Sequence, residues 1–109
     1  MKLIFICSPF AGDMEGNIIK ARRYCRFAMV QGELLFAPHL LFPQFLDDSD
    51  PDERKQGINM GLSVLGLCSE LWCFGSVISP GMAVEIEWAE KLKIPVRRFS
   101  SACVEVSES

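Results

Sequence analysis

Histidine is almost missing from this sequence: His39 is the only one in 109 residues. The five cysteines (Cys7, Cys25, Cys68, Cys73, Cys103) are an odd set without a CxxC pair. These absences remove the usual ligand spacings of a zinc site, and no metal is expected. Positive charge is also in short supply. Eleven Lys and Arg against fourteen Asp and Glu leave a net charge of −3. That balance gives no electrostatic case for a nucleic acid polymer or a membrane surface as partner. Two small basic clusters, "KARR" at 20–23 and "RR" at 97–98, read as solvated helix and strand-end charge, or as a single phosphate contact. Long apolar runs are lacking too. "MKLIFIC" stops at Ser8-Pro9, too short for a signal peptide or a membrane span, and reads as a first strand. Glycine-rich nucleotide fingerprints are missing as well. "SPFAGD" after that strand has the spacing of neither a Walker loop nor GxGxxG. A conventional ATPase and a Rossmann dehydrogenase are therefore not expected, nor is any cofactor.

Half of the residues are apolar, enough for one core in a single domain spanning 1–109. The ordered part is expected at about 2–99, with a polar tail ending in "SES". Reduced thiols suit a cytoplasmic protein. Cys7 and Cys73 fall inside apolar strand patterns and read as small buried hydrophobes.

The chain alternates strand and helix. Residues 2–7 form a continuous apolar strand of the doubly buried kind. A helix over about 15–31 follows, with Ile18, Ala21, Tyr24, Cys25, Ala28 and Met29 on one face and Gly32 as its stop. Strands are expected at 33–39, 70–75 and 95–99, with a fifth at 102–106. A loop with a short helix fills 40–52, and a helix runs from about 52 to 68. The last helix starts near Gly81 and ends before Pro95. This order predicts an α/β fold in three layers, a flavodoxin-like open parallel sheet of four to five strands with helices on both faces. Ligands of such sheets bind at the carboxyl ends of the strands. "SPFAGD", "PHLLFP" and "GSVISPGMAVE" converge there.

The last helix contains a misfit. At 100° per residue Met82, Val84, Ile86, Trp88, Ala89 and Leu92 share one broad face, with Glu87, Glu90 and Lys91 opposite. Glu85 falls near the middle of the apolar face. It is either an exposed acid favoured by the helix dipole or a carboxylate lining a polar pocket. Ser79 and the amides at 81–84 are either a helix cap or an anion site. His39, directly after a strand, is either structural or part of the same pocket.

The segments "IFICSPF" (4–10), "PH" (38–39) and "SPGMAVEIEWA" (79–89) resemble the nucleoside 2-deoxyribosyltransferase superfamily. The likeness extends to the smaller deoxynucleoside monophosphate N-glycosidases and to uncharacterised bacterial and phage relatives, and it runs from Lys2 to about Phe99. Its most specific element is Ser-x-Gly, a glutamate four residues later, an alanine four further on, then "KLKIPV". The resemblance implies that Glu85 is a catalytic glutamate that attacks C1′ of the sugar and leaves a glycosyl-enzyme ester. Water then completes hydrolysis, or a second base completes transfer. The helix start would keep the acid ionised. Cys7, Ser8, Pro9 and Phe10 would form one wall, with Phe10 stacking on the base or packing on the 52–68 helix. His39, Ser79, Gly81 and Met82 complete the implied binding set, Ser79 and the Gly81 amides holding a 5′-phosphate.

Two departures stand out. The family commonly has a tyrosine where this chain has Phe5, and "INMGLSVLG" (58–66) lacks the family's aspartate. His39 and Asp13 are then the candidates for protonating the base. An N-glycosidic enzyme, a nucleotide-binding module that lost catalysis, and a ligand-free interaction domain are the competing functions. The partner is a small-molecule nucleoside or nucleotide. Thin helical cover, with Trp and Met exposed near the pocket, suggests a homodimer or larger assembly, and the resemblance implies that neighbouring subunits complete the site.

Overall fold

The computed structural model describes residues 1–106. The polar tail expected at 107–109 lies outside the described residues. Four strands, β1 (Leu3–Cys7), β2 (Leu34–Phe36), β3 (Glu70–Phe74) and β4 (Val96–Phe99), form one parallel sheet in the order β2-β1-β3-β4. The chain therefore moves outward from β1 to β2, then crosses back to β3. The switch point lies between β1 and β3.

Alternation along the strands builds two cores. Ile4 and Ile6 of β1, Trp72 and Phe74 of β3 and Phe99 of β4 face α1 (Met14–Val30), which contributes Tyr24 and Ala28. Phe5 and Cys7, with Leu71 and Cys73, face the opposite side. There α3 (Pro51–Leu65) adds Leu65, and α4 (Pro80–Lys91) adds Met82, Ile86 and Ala89. Both faces of β1 and β3 are thus covered, which explains the apolar runs Leu3–Cys7 and Leu71–Phe74. Helix α1 is capped by Asp13, whose Oδ1 accepts from the Gly16 amide at 3.1 Å. Gly32 ends its overrun at φ +86°, a left-handed conformation that glycine adopts without Cβ strain. No helix among the described residues is long and apolar enough to cross a membrane.

Three expectations are corrected. First, 102–106 is not a strand. A turn tied by the Ser100 hydroxyl, with Cys103 at φ 62°, reverses the chain, and among the described residues an isolated antiparallel bridge, Phe99 to Glu105, forms in place of a strand. Secondly, β2 ends at Phe36 because Pro38 starts a one-turn helix, α2 (Pro38–Leu41). Proline at a first helical position loses no hydrogen bond. Thirdly, the buried face of α4 is narrower than the sequence suggests. Met82, Ile86 and Ala89 are buried, whereas Val84, Trp88 and Leu92 form an exposed stripe. Glu85 lies on the border between the two. On α1, Met29 is exposed, and Phe27 packs on Trp72, Phe74 and Phe99 instead.

Candidate active site

Ser79 starts α4. Its Oγ accepts from the Met82 amide at 3.2 Å, and Pro80 takes the first helical position. The Ala83 amide already donates to the Ser79 carbonyl at 2.9 Å. Of the amides along 81–84 that were expected to be free, those of Met82 and Ala83 are therefore used by the cap and the first turn. Gly81 remains at the open edge, where an added Cβ would meet nothing within 4 Å.

One turn further on, Glu85 reaches a cavity of about 130 Å³ at the carboxyl edge of the sheet. Phe10 from the loop after β1, His39 of α2, Gly81, Val84 and Glu85 of α4 all line it. Phe42 and Leu46, and Ile58 and Leu62 of α3, make the apolar remainder, and Asp48, Glu53 and Arg54 supply charge. Phe10 stacks on His39, so its ring packs against the imidazole.

The Glu85 carboxyl is the polar anomaly of the site. Its Oε1 is buried and has no hydrogen-bond partner. Burial pushes its pKa up to about 8, the Cys7 thiol opposes that rise, and Cys73 adds to it. The expectation that the helix start keeps this acid ionised is corrected. Glu85 lies beyond the first turn, where the dipole has faded, and desolvation dominates. At neutral pH the ligand-free carboxyl is mostly protonated. His39 is also neutral there, since burial lowers its pKa against weaker upward pulls from the Ser8 backbone and Asp48.

The fold brings Phe10, His39, Gly81 and Glu85 to one cavity. It does not bring the rest of the expected set. Cys7, Ser8 and Met82 are buried behind the wall, Met82 because it belongs to the core face of α4. Pro9 and Ser79 are not among the lining residues. Asp13 is exposed and spends its carboxylate on the α1 cap, which removes it as a proton donor. Glu87 is the solvent-facing acid the helix angle gave, paired with Lys91 at 3.4 Å.

Sequence reading missed the α3 wall. Its signal was Gly57 and Gly61, four apart inside a helix, where each costs stability relative to alanine. Gly61 is buried, and it faces Phe42 and Pro38.

Residues 2–99 match a family described as a domain of unknown function (DUF7768), and the chain belongs to that family. No curated protein matches the sequence. Among solved structures, a 2-deoxyribosyltransferase from Bacillus psychrosaccharolyticus is similar with a TM-score of 0.74 at 18% identity, over 90% of this chain and 72% of that one. A CMP N-glycosidase from Clostridium botulinum gives 0.58 at 19% identity, over 91% and 69%. A 2-deoxyribosyltransferase from Leishmania mexicana gives 0.61 at 17%, over 92% of this chain and 65% of that one. The fold is the one these proteins share, in agreement with the resemblance carried by the sequence motifs.

Proposed function

We propose that this chain cleaves the N-glycosidic bond of a nucleoside or nucleoside 5′-monophosphate, with Glu85 as the attacking group. One observation carries the reading: a glutamate oxygen, buried and without a partner, belongs to a residue lining a mostly apolar cavity. Its position at the carboxyl edge, in a fold shared with deoxyribosyltransferases and an N-glycosidase, supports the chemistry.

In this mechanism Glu85 first loses its proton to solvent. The carboxylate then attacks C1′ of the sugar, and the C1′–N bond breaks with its electron pair leaving on the base nitrogen. The base takes a proton from water, because neutral His39 is a poor acid. The glycosyl-enzyme ester is next attacked at C1′ by water, which returns the Glu85 carboxylate and releases the free sugar. A second base in place of water gives transfer. The apolar wall strengthens the field of the ionised carboxylate on the oxocarbenium-like transition state.

The test is release of free base, followed by chromatography, from a panel of nucleosides and 5′-monophosphates. Release that disappears in Glu85→Gln supports the proposal. Release that survives the substitution, or no release from any substrate in the panel, overturns it.

A second reading, nucleotide binding without turnover, draws support from two features. Phe5 is fully buried and has no hydroxyl to offer Glu85, and Glu85 is protonated at neutral pH. Thermal stabilisation by a nucleotide without base release would favour it. We also infer self-association through the Val84, Trp88 and Leu92 stripe, which begins at the cavity wall. Light scattering that returns the monomer mass of 12.2 kDa would exclude this.

A further inference from the structure

Arg54 is the only lysine or arginine among the described residues that line the cavity. It is the fourth residue of α3 and is exposed. Among the described residues its guanidinium has no hydrogen bond or ion pair. That isolation is unexpected, because acids flank it in the sequence, and Asp48 and Glu53 line the same cavity. Asp50, four residues earlier, is the partner that helix geometry offers. Its Oδ1 instead accepts from the Asp52 and Glu53 amides, at 2.9 and 3.4 Å, as the cap of α3. The Asp47 amide donates to Glu53 Oε1 at 3.1 Å. A cation in the opening turns of a helix gains nothing from the helix dipole. Arg54 therefore carries to the cavity a set of N–H donors that the described chain leaves unused.

Topology sets Arg54 opposite Glu85. Helices α3 and α4 each lead into a strand of the parallel sheet, cover the same face and pack on each other. They run in one direction, with both N-termini at the carboxyl edge. Arg54 is the fourth residue of one and Glu85 the sixth of the other, so the two stand at similar depth. Axes of packed helices lie about 8–10 Å apart. Between the two polar groups the walls are apolar, with Ile58, Leu62 and Val84. A ligand whose C1′ meets Glu85 can reach Arg54 with a group held a few bonds beyond the sugar ring. The 5′-phosphate, joined through C5′ and O5′, is such a group. At the start of α4, Ser79 Oγ and the Met82 and Ala83 amides are already committed to the helix. Asp48 and Glu53 disfavour an anion elsewhere along this rim, which leaves the guanidinium as the place where charge is read.

We propose that Arg54 is a specificity-determining residue, its guanidinium pairing with the 5′-phosphate of the ligand, so that the cavity takes a nucleoside 5′-monophosphate in preference to the free nucleoside. The inference rests on the nucleoside site proposed above and decides between the two substrate classes left open there. A guanidinium forks onto two phosphate oxygens, a geometry that an ammonium cannot copy.

The test is calorimetric titration of the full chain with the common nucleosides and their 5′-monophosphates. The monophosphate is expected to bind roughly 10- to 100-fold tighter than its nucleoside, the scale of a hydrogen bond to a charged group. In Arg54→Gln that preference should vanish while affinity for the nucleoside stays. Arg54→Lys should keep only part of it. Lys55→Gln, one residue on, exposed and outside the cavity lining, removes the same charge and should leave the preference intact. The role is overturned if no monophosphate binds, if nucleoside and monophosphate bind equally, or if the preference survives Arg54→Gln. An equal loss for both ligands in Arg54→Gln also overturns it, because the guanidinium would then meet the base or the sugar. So does a preference that Lys55→Gln abolishes as fully as Arg54→Gln. The readout is binding rather than turnover. Tight monophosphate binding without base release defeats the reaction and leaves this inference standing, whereas base release without a phosphate preference does the reverse.

Discussion

The imidazole of His39 lies against the ring of Phe10, with centroids 5.0 Å and planes 22° apart. The loop after β1 and the helical turn after β2 thereby make one wall of the cavity that Glu85 also lines. Stacked pairs of this kind are worth about 0.5–1.5 kcal/mol beyond buried area. His39→Ala should therefore weaken nucleotide binding by roughly 2- to 10-fold, measured by calorimetry. An unchanged Kd would mean that the wall plays no part in recognition.

Glu85 must ionise before it attacks, and its pKa is about 8. Base release, followed as kcat/KM, should rise with pH through about 8 and then level off. Glu85→Gln should lose roughly 10⁴-fold or more at every pH, the scale seen when a nucleophile is removed. A profile flat from pH 6 to 9 would separate the rate from this carboxyl.

The same group has an effect on stability, with a definite sign. The folded pKa of about 8 lies above the ordinary 4.5. Below pH 4.5 both states are protonated, and the buried group carries no ionic penalty. Between 4.5 and 8 the folded state retains the proton that the unfolded chain releases, and stability falls by about 1.4 kcal/mol per pH unit. Chemical denaturation should then show Glu85→Gln close to wild type at pH 4 and clearly more stable at pH 8.

At the other end of the sheet, Glu70 accepts from the Trp72 indole at 2.8 Å, from Lys2 at 2.9 Å and from Arg97 at 3.4 Å. Burial pushes its pKa up, but these donors outweigh burial and hold it below the ordinary value. Glu70→Ala leaves the buried Trp72 N–H unpaired, at a cost of about 1–3 kcal/mol, read as a lower denaturation midpoint. The native contribution is present above pH 4.5 and is lost as pH falls through the depressed folded value. The difference between variant and wild type should therefore narrow in acid to what the protonated carboxyl still accepts from Trp72.

Gly61→Ala should stabilise. An added Cβ would lie 3.8 Å from Phe42 Cε2 and 4.0 Å from Pro38 Cβ, both ordinary contacts. The gain in helix propensity is about 0.8–1 kcal/mol, and Tm should rise by roughly 3–8 °C. At Gly57 the added Cβ meets Leu46 Cδ1 at 3.2 Å, so Gly57→Ala should gain less. Equal gains at both positions would contradict this packing.

The sequence by itself determined the elements whose causes are local. Strand β1 and the Leu71–Phe74 part of β3 announce themselves as apolar runs, Gly32 stops α1, and the last helix is legible from Gly81 to Pro95. Glu85 also stood out without a structure, because helical geometry alone sets an acid on an apolar side. Tertiary structure decided whatever depends on neighbours distant in the chain. It paired Cys7 with Cys73 behind Glu85, set α3 and the segment after α2 as the far walls, and turned Met82 into the core. It also reversed the chain at Cys103 where a fifth strand had been expected. The reason is physical: caps, turns and periodicity act over a few residues, whereas burial and sheet order arise only when crossovers bring separate segments together. Glu85 shows both levels, its place on the helix fixed locally and its raised pKa set by the desolvation that packing imposes.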